Sequence, residues 1–557
     1  MLDLILMHAP SIYDFRKRNR FYGPVSDVIP STPIFEMYPI GFVSILNELI
    51  PRGYRVKIEN LAVEMLMDEK FDVEKRIEKL ESEIVAIDLH WLPHVHGALN
   101  IARMVKKYHP NTAVLFGGIS SSYYHNEILK DYDFVDFVLI GDTTEPFFPL
   151  LIDAYENKSD LSKVPNLVWR ENSRIRINKI EPPESYIDSV HLNYKYLIKQ
   201  CVRNLNVKSA IPYSDWIISP SGMTFIQKGC HHNCVICGGS KFAYENSYFR
   251  KMVSYRSVDN VIQDLISIQE NLGAPAFIIG DVHEAGKKYE EELLKKIKQN
   301  GIDIPIMFEI FNPAPESYYA NIERNVSEYT FEISPESSNE MVRAGGGRFY
   351  NNNALEKTIE HARNHSARKM DVFFSIGLSK QTRDDIYNDI KYMDRMYDKY
   401  GNWIHLFTSP IAPFVDPGSL AFEQNEKFGY RIFARSLKEH YELLDKSKSW
   451  TDSLNYETIW LSRQDIGSLS LEAGYLIAKM KTAKGLAKSE INIDLIEQFL
   501  NNVSHDGANP LPRNYIGPII YDKDELVWSK KIKIKNLNCF MVNFYRELLK
   551  MKEKAFK

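Results

Sequence analysis

"QKGCHHNCVICGGSKF", residues 227–242, is the stretch on which the reading of this chain turns. It holds three of the chain's five cysteines, Cys230, Cys234 and Cys237, spaced C-x-x-x-C-x-x-C, with His231 and His232 inside the loop. Thiols crowded this way admit four chemistries. A structural zinc site would take His231 or His232 as fourth ligand, although zinc prefers ligand pairs on separate turns. A redox pair would use Cys234 and Cys237 and leave Cys230 idle, with no thioredoxin-like pattern around it. Three free core thiols would leave the spacing unexplained. An iron–sulfur cubane normally takes four thiolates, so three would leave one iron open to another ligand. Gly229 before the cysteines and Gly238-Gly239 after them let the backbone wrap closely around a large group. The other two thiols, Cys201 and Cys539, are remote and have no partner motif.

At about 150 residues per domain, a chain of 557 residues suggests three or four units. It is 44% hydrophobic and 25% charged, the balance of a globular protein, and its net charge of −4 gives no general basicity for nucleic acid. No apolar run approaches the roughly 20 residues of a membrane span. The opening "MLDLILMHAP" lacks a basic region and a small-residue cleavage site, and reads as a first strand rather than a signal peptide. So few cysteines make no disulfide framework, and the expected location is the cytoplasm, where thiols stay reduced.

Residues 1–150 alternate apolar strands with amphipathic helices. "LDLILMH", "YRVKIENL", "IVAIDLHW", "AVLFGG" and "DFVLIGD" read as strands; residues 38–53, 71–82, 95–110, 122–132 and 144–156 read as helices. This pattern predicts a Rossmann-like parallel sheet covered on both faces. Such sheets bind ligands beyond the carboxyl ends of their strands. Those ends carry Pro10, His90-Trp91-Leu92, Gly117-Gly118 and Gly141-Asp142. No G-x-G-x-x-G follows the first strand, which argues against a dinucleotide.

The cysteine spacing after the apolar "TFIQKG" resembles the signature of radical SAM enzymes. In that family three cysteines hold a [4Fe–4S] cluster, and the open iron binds S-adenosylmethionine (SAM). One electron then cleaves SAM to a 5′-deoxyadenosyl radical. The residue before the last cysteine, often aromatic in the family, is Ile236 here and would lie near the adenine. "PAFIIGDVHE" (275–284) is similar to the glycine-and-acid segment that grips the methionyl amino group, through Gly280 and Asp281. "YTFEISPESSNEMVRAGGG" (329–347) resembles the fourth-strand segment, with Glu336 near the ribose. "DVFFSIGLSKQTRDDI" (371–386) resembles the fifth strand, with Ser375 and Gly377 facing the cofactor, and "FTSPIAPFVDPGS" (407–419) the sixth. The resemblance covers about residues 215–420 and implies a partial (β/α)6 barrel.

Two groups place a Rossmann-like domain ahead of such a barrel. Methylthiotransferases carry cysteines for a second cluster in that domain, and this chain has none before Cys201. The chain instead resembles the cobalamin-dependent radical SAM enzymes, whose front domain cradles the corrin. The motif D-x-H-x-x-G is absent; Asp88-Leu89-His90 has Pro93 where its glycine would stand and follows a later strand. The resemblance implies an unligated lower cobalt face approached by Trp91 or Leu92. It also implies an external electron donor of flavodoxin or ferredoxin type. The expected layout is an α/β protein: cobalamin-binding domain 1–150, hairpin and linker 151–214, radical SAM barrel 215–420 and a mostly helical unit 421–557. In the last, His505 and Tyr521 are candidates to face substrate, although surface roles suit them as well. The expected activity is methyl transfer from methylcobalamin to an unactivated carbon. Non-methylating radical chemistry such as ring formation, or a zinc protein without activity, are the alternatives, and the substrate, small molecule or protein, is open.

Overall fold

Strand Leu2–His8 (β1) is apolar along its length and buried on both faces, which marks it as interior to a sheet. The computed structural model describes residues 1–18, 20, 32–203, 207–217, 220–411 and 414–486. Around β1 assemble β2 (Val56–Asn60), β3 (Ser82–Asp88), β4 (Ala113–Gly117), β5 (Phe137–Leu139), β6 (Leu167–Glu171) and β7 (Arg174–Ile177). Their order is β2-β1-β3-β4-β5-β6-β7. The first five strands are parallel, and the β6–β7 hairpin adds on antiparallel. The hairpin thus belongs to the front sheet, which runs on past residue 150 to Ile177. The stretch 122–132 forms two short helices, Ile119–Tyr123 and His125–Asp131, rather than one.

The second sheet begins at β8 (Gly222–Phe225). After the small antiparallel pair β9 (Gln227–Lys228) and β10 (Ser254–Tyr255), it continues with β11 (Ala276–Asp281), β12 (Ile306–Ile310), β13 (Tyr329–Glu336), β14 (Met370–Ile376) and β15 (Ile404–Pro410). All six strands are parallel, in the order β15-β14-β13-β12-β11-β8, with helices between them: an open (β/α)6 barrel. The last described part holds helices Leu437–Lys446 and Arg463–Ala483. It also holds an antiparallel pair, β16 (Tyr430–Ile432) and β17 (Tyr456–Thr458), in a stretch whose pattern suggested helix. Cys539, His505, Tyr521 and the expected helix near residues 491–503 lie outside the described residues. Among the described residues no helix is long and apolar enough to cross a membrane.

The two sheets meet at their carboxyl ends. Arg250, just beyond the cysteine loop, donates from Nε and Nη2 to the two carboxylate oxygens of Asp142 after β5, at 2.5 and 3.0 Å, with both side chains buried. Lys228 Nζ donates to the Asp142 carbonyl and lies 3.7 Å from Glu145. Behind this contact, helix Val95–Tyr108 presses on the loop after β1: a Cβ on Gly97 would fall 1.8 Å from the Pro10 carbonyl oxygen. Overpacking of this kind typically costs about 1–3 kcal/mol. We expect Gly97→Ala to lower the thermal midpoint of the purified protein, while Gly53→Ala, whose Cβ meets nothing within 4 Å, has only its positive φ to strain it.

Candidate functional site

Cys230, Cys234 and Cys237 follow β9 on one turn-rich loop, and three later segments fix its shape. Val235 N–H donates to the Gly346 carbonyl at 2.9 Å, and Ala421 N–H to the Val235 carbonyl at 2.8 Å. Gly238 N–H donates to Asp416 Oδ2 at 3.1 Å; burial pushes Asp416 up to about 6. Two glycines are required by close approach: a Cβ on Gly347 (φ +96°) would meet Asn233 O at 2.6 Å, and one on Gly238 would meet Asp416 Cβ at 2.6 Å.

The thiols fit a cluster better than a single ion. His232 Nε2 is held by Glu284 Oε2 at 2.7 Å, and His231 Nε2 lies 3.2 Å from the Tyr255 hydroxyl, so both rings are engaged outside the thiol group. Among the described residues no three Cys, His, Asp or Glu side chains converge on one ion, whereas a cubane spreads its thiolates over separate corners. The His232 and Gly239 N–H groups donate to Cys230 and Cys237 Sγ at 3.4 and 3.3 Å. Burial pushes the Cys230 thiol up to about 11 and raises Cys234 and Cys237 as well. Thiolates there depend on bound metal charge; Arg348 and a backbone hydrogen bond oppose the rise at Cys234 only in part.

The expected SAM positions gather around this loop with unequal freedom. Ile236 is half-buried, and Ser375 keeps partial exposure. Gly280 (φ +101°) packs a would-be Cβ 2.9 Å from Ile226 and donates its N–H to Glu309 Oε2 at 2.7 Å. Both Asp281 oxygens meet backbone donors: Oδ1 accepts from His283 and Glu284 N–H, and Oδ2 accepts from Phe311 N–H at 2.8 Å. Its burial pushes it up to about 6. It braces the turn after β11, and Oδ2, with one accepted bond, keeps lone-pair capacity for a further donor. Glu336, itself at φ +68°, accepts from Arg348 Nε at 2.8 Å through Oε1, while its buried Oε2 has no partner. Burial would lower Arg348, but Glu336 and Cys234 outweigh it and raise it. Gly377 (φ +100°) does not face open space: a Cβ would meet the Tyr456 hydroxyl at 3.0 Å, and its carbonyl accepts from Tyr430 at 3.1 Å.

The front cradle lies at the carboxyl ends of β1, β3, β4 and β5. Gly118 (φ +111°) lets the β4 loop press on the β3 loop: its Cβ would be 2.6 Å from His90 Cα. Beside Gly117 there is open space within 4 Å, as a flat ligand would need. Trp91, 36% exposed, stands in T-shaped contact with His90 and near His94. Leu92, by contrast, is wholly buried in the second core and presents nothing to a ligand. Beneath Trp91, His8 Nδ1 pairs with Asp88 Oδ1 at 2.8 Å, and His94 Nδ1 is buried without a partner. Burial pushes His90 down to about 4, opposed by Asp88 and aided by Lys228. Pro10 is buried under the helix that Gly97 admits; Gly141 (φ +114°) turns the chain into Asp142, whose carboxylate is taken by Arg250. Sequence reasoning missed Arg250, Arg348, Glu284, Glu309 and Asp416. Of these only Glu309 left a signal, as a lone acid inside an apolar strand.

Known proteins are similar in the same places. Residues 28–150 match the family model of the B12 binding domain, and residues 224–393 that of the radical SAM superfamily. These domains imply cobalamin, a [4Fe–4S] cluster and SAM as cofactors. A curated relative, the anaerobic magnesium-protoporphyrin IX monomethyl ester cyclase of Synechocystis sp., is 20% identical over 277 residues, 49% of this chain; the chain spans about half, 51%, of its length. Among solved structures, the radical SAM methyltransferase TsrM from Kitasatospora setae, with cobalamin and a [4Fe–4S] cluster bound, is 12% identical with a TM-score of 0.59 over 100% of both chains. The cobalamin-dependent radical enzyme OxsB, with aqua-cobalamin and SAM bound, is 11% identical with a TM-score of 0.53 over 100% of this chain and 81% of its own.

Alanine at Cys230, Cys234 or Cys237 is expected to abolish iron content and visible absorbance after anaerobic reconstitution. Cys201→Ala, at a thiol buried in the core, is expected to keep both; loss of iron in Cys201→Ala would show that the loop is not the whole thiolate set.

Proposed function

This chain joins a B12-binding domain to a radical SAM domain, and on that premise we propose that it is a methyltransferase acting on an unactivated carbon. The observation that carries the reading is the Asp142–Arg250 contact, which seats the carboxyl end of the front sheet against the flank of the cysteine loop. When bound, the cluster with SAM supplies a carbon-centred radical oxidant, and cobalamin supplies a transferable methyl group. The chain's residues do the rest. Cys230, Cys234 and Cys237 would hold the cluster and leave one iron for SAM. Gly280, Glu336, Ser375 and Ile236 border that ligand. Gly117, Gly118, Gly141 and the loop of His90 and Trp91 would border the cobalamin, with Trp91 as the exposed side chain of that loop. Burial keeps Trp91's neighbours dry, and the low pKa of His90 keeps that ring uncharged at neutral pH. The reading carries with it a low-potential flavodoxin or ferredoxin as electron donor and a cytoplasmic setting.

A second reading, ring formation without methylation, is favoured by the curated relative, which is named a cyclase. One incubation separates the two. Reconstituted protein with SAM, cobalamin, reductant and substrate is expected to form both 5′-deoxyadenosine and S-adenosylhomocysteine; 5′-deoxyadenosine alone, with a product of unchanged carbon count, would favour the cyclase. The electron paramagnetic resonance of bound cob(II)alamin is expected to lack nitrogen coupling from a protein histidine. Such coupling would overturn an unligated lower cobalt face.

A further inference from the structure

Three barrel strands each carry one acid within an apolar run: Glu309 in "IMFEI", Glu332 in "YTFEI" and Asp371 in "MDVFF". Register sets them side by side, Glu309 opposite Glu332, Glu332 opposite Asp371 and Asp371 opposite His405. Side chains alternate across a strand. The preceding residues Phe308 and Phe331 touch each other, and Phe331 packs on Tyr318 and Tyr319 of the covering helix Glu316–Asn325. The acids therefore point the other way, into the barrel.

That interior is closed around Glu332, Asp371 and His405, which are buried, and partly open elsewhere. Met223, Ile279, Glu309, Ser334, Phe373 and Ser375 point inward and keep partial exposure, whereas the outward-facing Phe308 and Phe331 are 0% exposed. Two residues nearer the carboxyl ends than Asp371 and His405, Phe373 and Phe407 stack with centroids 5.0 Å apart and planes at 13°. The lumen thus has an acidic floor and an aromatic wall on the side that opens toward the cysteine loop.

The charge on that floor is uneven. At one end His405 Nδ1 lies 3.3 Å from Asp371 Oδ1, and Lys369 Nζ lies 3.2 Å from His405 Nε2. At the other end Glu332, 7% exposed, buries Oε2 with no hydrogen-bond partner, and Glu309 is met by the Gly280 N–H. Burial, with Glu309 and Asp371 adding, pushes Glu332 well above the carboxylate range, and burial pushes Glu309 up to about 7. A buried acid without a partner destabilises a fold, and proteins retain such costs where a ligand supplies the missing partner. Strands run about 4.8 Å apart, so these acids form a line, which suits several N–H donors better than one bare ion.

We propose that the barrel takes a substrate bearing an ammonium or guanidinium group, seated on Glu332 and Glu309, with its apolar body against Phe373 and Phe407. Charge-assisted hydrogen bonds and the faces of the two rings both favour a cation there. The proposal rests on the reading of the barrel as the reaction chamber, but its test needs no turnover. Calorimetry on the cluster- and cobalamin-loaded protein compares 2-phenylethylammonium with the neutral 2-phenylethanol and the anionic 3-phenylpropanoate, with butylammonium and arginine methyl ester as further cations. At least one cation is expected to bind about ten-fold more tightly than the uncharged and anionic probes, and Glu332→Gln is expected to erase that preference without changing iron or cobalamin content. Glu332→Leu is expected to raise the thermal midpoint by about 2–4 °C, because it removes an unpaired buried acid. No preference for any cation, a preference that survives Glu332→Gln, or a lowered midpoint in Glu332→Leu would each overturn the proposal. If methyl transfer were wrong, the product assay would fail while the cation preference stood.

Discussion

The contact on which the arrangement depends is the bidentate pair between Arg250 and Asp142. Asp142 follows β5 of the front sheet, Arg250 lies between helix Lys241–Ser247 and β10, and both are removed from water. A buried pair gains little over well-packed apolar groups, but loss of one partner leaves an uncompensated charge and is strongly unfavourable. The pair therefore acts as a register device. The Arg250 guanidinium also reaches Thr143 and Ser254, and Lys228 adds a bond to the Asp142 carbonyl, so the fork is fixed in direction as well as in place. A device of this kind fixes the direction in which the two domains face each other, and a small misplacement forfeits much of what proximity gives.

The cysteine loop is held by the same logic from the opposite side. Its own residues form few regular bonds; its shape comes from Gly346 and Gly347 after β13, Asp416 after β15, and Ala421 beyond. A loop that carries three thiols is held in one shape by braces from separate elements, because each brace removes a motion that the others leave. The mid-chain "RAGGG" and "VDPGS" segments are thus as much part of the centre as the cysteines. Glu336 and Arg348 extend it: a carboxylate in a strained backbone conformation, paired on one oxygen and bare on the other, is an arrangement kept at functional sites.

What the sequence disclosed follows the distance over which each feature acts. The cysteine loop stood out because three closely spaced thiols are a local feature, but spacing alone admitted four chemistries, and the resemblance to radical SAM enzymes chose among them. The alternation of strand and helix was legible for the same reason, since apolar periodicity is written within each segment. The β6–β7 hairpin was visible as a hairpin, but its edge partner, β5, lies 28 residues earlier, and no local pattern names it. The Arg250–Asp142 pair spans 108 residues and left no trace in either neighbourhood. Asp281 and Gly377 illustrate the converse. Each sits where its family motif places it, yet the oxygens of Asp281 go to backbone N–H groups and the open side of Gly377 goes to Tyr456. A motif fixes position along the chain; which partner arrives first is decided by packing. Leu92 differs from Trp91 for the same reason, one side chain turning into the core and its neighbour out of it.

The acids of the barrel carry this distinction furthest. Glu309, Glu332 and Asp371 are each an interruption of an apolar strand, visible singly in the sequence as a break in pattern. Only register makes them a row. A fold under selection for stability alone would replace Glu332, because its buried oxygen finds no donor and its neighbours repel its charge. Residues that contradict their surroundings concentrate where a fold serves something other than itself. Among the described residues they include His94 beneath Trp91, Glu336 beside the cysteine loop and Glu332 on the barrel floor, while others, such as Glu59 in β2, lie elsewhere. His94 lies within residues 28–150, which match the B12 binding domain model, and Glu332 and Glu336 within residues 224–393, which match the radical SAM model, so each matched domain carries local costs of its own.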